Sequence, residues 1–458
     1  MKKIYQSIIG IYFVLAVISL SSCEDFLDVK PTSSIVADNA ITDARTARAS
    51  IIGVYASLKS YCTGSELTLG VMPADNVSFG GSQSQNIDLD NNAFTVTNSA
   101  IVGAYRSLYS LINRANWVIA SLDNVTDPLF TSEEKDQILG EAYFIRAFGY
   151  FNLGRSWGGV QIQLTPTTDL SVLNGIRRST LAETYAQVKA DLTEAERLLP
   201  ENNTTRNRAQ KSIARALRAR LHLYAGEWAE AETYASQVIA NPKYELVYPY
   251  QAFFTSPFLT KESVFEITFS TNDRNSTWSS WYPSSVVRSG SYQFVPTNEI
   301  AEKLTNPEIA GSRSALIKND PRVGYYGVLY NTAVASASVV QSTDPAYVIR
   351  IAELYLIRAE ARAKKVSADL SGAIADLNAI RQRADLAPFP STSNAQAVIL
   401  AIEEERRIEF AFEAHRWYDL VRTERVKEVL GVEKNYWLFP IPQADILSDP
   451  DIEQNPGY

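Results

Sequence analysis

The chain has 458 residues, 46% of them apolar, which is ordinary for a globular protein with a sizeable core. Its net charge of −8 argues against a nucleic-acid partner, because phosphate binding needs a basic face. Aromatics make up 11%, with 24 Tyr and 7 Trp, which suits an aromatic core or a surface for flat, partly polar ligands.

Lys2-Lys3 and the apolar run Ile8–Leu20 are too short for a membrane span and read as an export signal. Leu20-Ser21-Ser22-Cys23 then resembles a bacterial lipobox, which makes residues 1–22 a signal peptide and Cys23 the lipidated N-terminus. Several acyl chains on one cysteine anchor stably, at about 0.8 kcal/mol per buried methylene. Residues 23–34 follow as a polar tether. Cys62, the one remaining cysteine, has no disulfide partner if Cys23 is acylated and reads as a buried structural thiol.

From residue 35 the chain reads as one mainly α body. Asp43–Ser60 and Val102–Ser121 are amphipathic, Tyr61–Thr97 between them reads as loop, and Ser132-Glu133-Glu134 starts a further helix. The clearest pattern is Ala216–Asn241, in which two apolar stripes at helical spacing flank Gly226-Glu227 and Asn241-Pro242 stops the second helix. Small residues at Ala219, Ala225 and Ala231 permit close approach, and the whole resembles a tetratricopeptide helix pair. Such a pair cannot bury its face alone. Ile351–Lys364 with Leu370–Arg383 repeats the pattern, and Gln137–Leu153 with Leu181–Leu199 is a divergent third pair. Repeat helices are therefore expected over 137–242 and 347–385. Between them, residues 248–346 form a long irregular insertion with a strand-like fragment at Ser263–Phe269, and Ala395–Arg422 returns to helix.

Glu404–Arg422 (EERRIEFAFEAHRWYDLVR), the later Leu438–Gln443 (LFPIPQ) and the closing Gln454–Tyr458 (QNPGY) resemble the C-terminal signature of the SusD/RagB family, and Arg350–Arg362 and the lipobox agree. The resemblance covers essentially the whole chain. It implies a non-catalytic surface lipoprotein of the Gram-negative outer membrane, anchored through Cys23. It also implies a SusC-like TonB-dependent transporter as partner, over whose mouth the protein lies while capturing a glycan or an oligopeptide.

A neutral sugar needs aromatic faces for its C–H side and amides or carboxylates for its hydroxyls. Trp278, Trp281 and Tyr282 stand in a Ser-rich stretch without local apolar neighbours and are expected to be exposed ligand-binding residues. Tyr292 and Phe294, alternating with Gln293, and Phe79, Asn91 and Asn92 in the earlier loop complete the candidate set. If the protein were only a repeat scaffold for protein contacts, Trp278 and Trp281 would instead be buried. Glu403–Arg407 reads as a solvated or ion-paired helix face, and Tyr436, Trp437 and Phe439 as C-terminal packing. His222 and His415 lack a second ligand at metal spacing, no cofactor is implied, and G-x-S-x-G, H-E-x-x-H and G-x-x-x-x-G-K-[ST] are absent. A glycosidase needs only two carboxylates, which 51 acids could supply, but nothing else carries that reading.

Overall fold

The computed structural model describes residues 41–168, 175–201, 205–255, 259–330, 342–449 and 451–458. The signal peptide, Cys23 and the tether lie outside them. Among the described residues no helix is long and apolar enough to cross a membrane.

The longer helices are α1 (Ala44–Tyr61), α2 (Ser99–Ser121), α3 (Ser132–Trp157), α4 (Leu181–Leu198), α5 (Lys211–Ala225), α6 (Trp228–Ile239), α7 (Asn298–Thr305), α8 (Ile351–Lys364), α9 (Leu370–Arg383) and α10 (Ala395–Glu409). Their starts follow local chemistry. Asp43 and Thr46 form a capping box on α1, and Thr180 and Glu183 do the same on α4. Gly226 ends α5 at φ 71°, a left-handed conformation that glycine adopts without strain. The turn to α6 is thereby set.

Neighbours in sequence pack as neighbours in space from α1 through α6. The chain then leaves the array and returns at α8, which lies directly against α6 and continues into α9 and α10. Helix α3 sits at the centre and is buried all round over Phe144–Trp157. Among the described residues six strands pair in three short ribbons: β1 (Val77–Phe79) with β3 (Phe294–Pro296), β2 (Ser263–Ile267) with β6 (Ala346–Arg350), and β4 (Ile317–Asp320) with β5 (Gly324–Gly327). The β2–β6 pair opposes Ser263 to Arg350, so it closes the base of the insertion immediately before α8.

Two stretches differ from the sequence reading. Tyr61–Thr97 is not simply loop: Cys62–Val71 continues helically from α1 through a π turn, and Ser84–Asp90 is a short helix. Ala395–Arg422 is not one helix either. It breaks after Glu409 and resumes at Arg416–Arg422. The break places Ala414 against Gly70, where a Cβ would lie 2.6 Å from the Ala414 Cβ. Helix-end carbonyls freed by the break are taken up from outside: Asn76 Nδ2 donates to Arg407 O (3.3 Å) and Ala411 O (3.2 Å), and Arg350 donates to Glu409 O (3.0 Å).

The Glu403–Arg407 run is ion-paired, and Glu405, Arg406 and Arg407 are buried rather than solvated. Glu405 receives Arg313 (2.6 Å) and Arg381 (3.0 Å), while Arg407 pairs with Asp75 (3.0 Å) and Glu299 (2.6 Å). Next to this run, Arg350 reaches Glu262 (2.9 Å), Glu409 (2.8 Å) and Glu413 (2.7 Å), all buried. At the C-terminus, Trp437 and Phe439 are buried while Tyr436 stays exposed. Asn455 Nδ2 donates to Trp157 O (3.0 Å) and Phe439 O (2.7 Å), and Gln454 brackets the backbone of Ile441 at 2.8 Å on both its N–H and its carbonyl. Thus the LFPIPQ and QNPGY segments are tied together over the end of α3. Cys62 is buried, and burial pushes its thiol well above the ordinary range.

Candidate functional site

The expected exposure of Trp278, Trp281 and Tyr282 is overturned: they are 7%, 1% and 0% exposed. Trp278–Trp281 is a single helical turn held down by distant rings. The Trp281 ring lies 5.1 Å from Phe294 and 5.0 Å from Phe412, and Tyr282 lies 5.4 Å from Tyr326. The Ser-rich neighbours gave no hint of these partners, because Phe412 is more than a hundred residues away in sequence. Phe294, on β3, is buried in the same cluster and offers no open face either.

Tyr292, Phe79, Asn91 and Asn92 fare differently. The β1–β3 ribbon sets Phe79 opposite Phe294, and the Gly80 N–H donates to Gln293 O at 2.9 Å. The chain can pass here only without a side chain, since a Cβ on Gly80 would lie 2.5 Å from Tyr292 O. The half-buried Phe79 ring lies over Gly81, with Cζ 2.4 Å from where a Cβ would stand there. Helix Ser84–Asp90 comes back beside β1, and its last residue, Asp90, accepts the Phe79 N–H; burial nevertheless raises the Asp90 carboxyl above its ordinary value. Asn91 follows, exposed, and half-buried Asn92 turns the chain at φ 54°.

Tyr292 occupies the left-handed region at φ 48°, unusual for a bulky side chain, and is fixed there from two sides. Its N–H donates to Tyr282 O (3.2 Å) and its hydroxyl to Tyr325 O (2.5 Å) on β5. Tyr325 itself is 36% exposed. The ribbons β1–β3 and β4–β5 therefore form one shoulder on which Phe79, Tyr292 and Tyr325 lie half open beside Asp90, Asn91 and Gln293. Tyr325 belongs to the site although only its neighbourhood, the Tyr325-Tyr326 pair in an aromatic insertion, marks it in the sequence. A signal was available in Gly80-Gly81, whose missing side chains permit the backbone crossing.

A separate cleft of about 400 Å³ runs between α2 and residues 161–167, lined by Tyr105, Tyr109, Asn113, Gln161 and Asp445. Sequence reasoning did not single out any of these.

Two family models match the chain: one described as starch-binding and associating with the outer membrane over residues 25–223, and the SusD family over residues 261–435. The chain belongs to the SusD/RagB family. A SusD-like protein of Formosa agariphila is 26% identical with both chains covered completely, and one of Bacteroides ovatus is 24% identical over 75% of this chain and 69% of its own. Among solved structures, a SusD superfamily protein of Bacteroides vulgatus superposes with TM-score 0.80 at 23% identity, covering 90% of this chain and 99% of its own. A laminarin-binding SusD-like protein superposes with TM-score 0.79 at 24% identity, covering 91% and 100%. These likenesses carry the fold.

Proposed function

We propose that the protein is a non-catalytic glycan-binding lipoprotein of the outer membrane. It captures an oligosaccharide at the Phe79–Tyr292–Tyr325 shoulder and serves as the lid of a SusC-like TonB-dependent importer, anchored through Cys23. The observation that carries the reading is the pairing of half-open rings with a carboxylate and amides on one rigid surface, with Tyr292 held in a costly backbone conformation to stand there. Family membership and the laminarin binding of a relative with the same fold support the ligand class. Lipid tethering would raise the effective concentration of lid at its barrel. The burial of Trp278 and Trp281 is what a pure scaffold would show, and it removes both from the binding surface without removing the shoulder.

The test is a panel of laminarin, starch and short peptides titrated onto the protein lacking residues 1–23, with Tyr292→Ala and Tyr325→Ala beside wild type. Binding of one glycan, weakened at least tenfold in both variants, is the expected result. Glycan binding that both variants retain would move the site, with the Tyr105–Tyr109 cleft next to be tested. Peptide binding alone would sink the glycan reading.

A further inference from the structure

The cleft along α2 is built from elements that contribute nothing to the shoulder. Tyr105, Tyr109, Asn113 and Asn116 recur at helical spacing, so one face of α2 lines it from end to end. The facing wall, residues 161–167, is fastened to that same face. Tyr109 donates its hydroxyl to Gln161 O (2.9 Å), and Asn116 Nδ2 donates to Gln163 O (3.0 Å) and Thr165 O (3.1 Å). The Thr167 N–H donates to Asn113 Oδ1 (2.9 Å). These bonds give the cleft a set shape, and its volume of about 400 Å³ lies in the range of small-ligand sites.

The groups left facing the opening are of mixed kind. Half-buried Tyr109, backed by the Tyr105 ring at 4.9 Å, supplies an apolar surface together with Ile176. Asn113 has spent its Oδ1 on the wall, and its Nδ2 has no partner among the described residues. At the other end stand the exposed Arg106 and the half-buried Asp445, which carry the charges of the described lining. No ion pair joins them. Burial raises the Asp445 carboxyl above its ordinary value, and the charge of Arg106 draws it only partly back.

One charge of each sign, an amide donor and a ring suit a neutral ligand that both gives and takes hydrogen bonds and has an apolar C–H face. A ligand with net charge would meet one of the two ionic groups unfavourably. From Arg106 to Asn113 is about 10 Å at the helical rise, a span that two linked sugar rings fill. We infer that the cleft is a second saccharide site, sized for one or two sugar rings, with a ring against Tyr109 and its hydroxyls shared among Asp445, Arg106 and Asn113. It shares the ligand class of the proposed function and none of the shoulder's residues.

The experiment is saturation-transfer NMR on the full chain in a sugar-free detergent. Glucose, galactose, xylose, maltose and cellobiose are the probes, and glycylglycine is the zwitterionic control. Tyr292→Ala/Tyr325→Ala disables the shoulder, and Asp445→Ala or Ser110→Trp is added to it. Ser110 is exposed on the rim in mid-helix and Asp445 is half open, so the fold should survive both, which the far-UV spectrum checks. The expected result is transfer to at least one saccharide in the shoulder variant, weakened at least fivefold by Asp445→Ala and removed by the bulk of Ser110→Trp. No transfer to any saccharide once the shoulder is disabled overturns the second site, and binding by wild type alone then leaves the shoulder standing. Transfer that Asp445→Ala and Ser110→Trp both leave unchanged, or transfer to glycylglycine alone, also overturns it. Binding that is equal in wild type and the shoulder variant and lost on Ser110→Trp keeps the cleft and sinks the shoulder.

Discussion

The helical array and the inserted shoulder are stabilised in opposite ways. In the array, α5 and α6 are joined by one turn at Gly226 and bury apolar stripes spaced by the helix itself, so partners are close in sequence. In the insertion, Trp281 is covered by Phe294 and Phe412, and β1 pairs with β3 across more than two hundred residues. Local periodicity builds the first, and long-range closure builds the second. A region assembled by closure can bury residues whose immediate neighbours are all polar, and can expose others whose neighbours are not.

The Arg350 network is where the two regions meet, and breaking it should have the largest effect. Arg350→Met leaves the buried Glu413 without its cation and Glu262 and Glu409 sharing Arg383, and should cost about 3–5 kcal/mol, read from chemical unfolding. Retained stability would mean that the carboxylates are satisfied otherwise. Trp281→Ala should cost about 3–4 kcal/mol by opening a cavity beneath the shoulder. It should weaken glycan binding only as far as the shoulder loosens, whereas Tyr292→Ala should do the reverse and leave stability within about 1 kcal/mol.

Acid should act through His415, in the break after α10. Burial holds His415 well below its ordinary value of 6.5, so it stays neutral in the fold while the unfolded chain protonates. Stability is therefore complete above that value and falls as the pH drops below it, by up to about 1.4 kcal/mol per unit from this group. His415→Gln should flatten the slope between pH 6.5 and 5 in a series of urea melts. The smallest effect concerns Asn92, whose φ of 54° glycine adopts freely: Asn92→Gly should change stability by less than about 0.5 kcal/mol, and a larger loss would show that the Asn92 side chain holds the loop.

The helices at 211–239 were legible because spacing, glycine turn and terminal breaker agree, and those at 351–383 because the same apolar spacing recurs. The break at Phe410–His415 was not, since no proline or glycine marks it; it exists because Arg350, Asn76 and Gly70 supply partners from three distant places. For the same reason the tryptophan pair misled. Its Ser-rich setting describes the sequence around it, while its burial depends on Phe412. Phe79, in a stretch read as loop, and Tyr292, alternating with Gln293, were readable as candidates, but their convergence with Tyr325 needed the ribbons to be in place.

Asn455, which fastens the carbonyl of Trp157 at the end of the central helix, ties that helix to a segment made some three hundred residues later. A chain made N-terminus first presents α3 long before residue 455 follows; until then Trp157 O has Arg178 as donor (2.7 Å), and the amide that bridges it to Phe439 O is missing. The bridge between the central helix and the C-terminal segment is therefore the last of these contacts to form. Removing only the last four residues should therefore leave a folded chain whose Leu438–Gln443 segment is loosened over the end of α3 and cut faster by protease there.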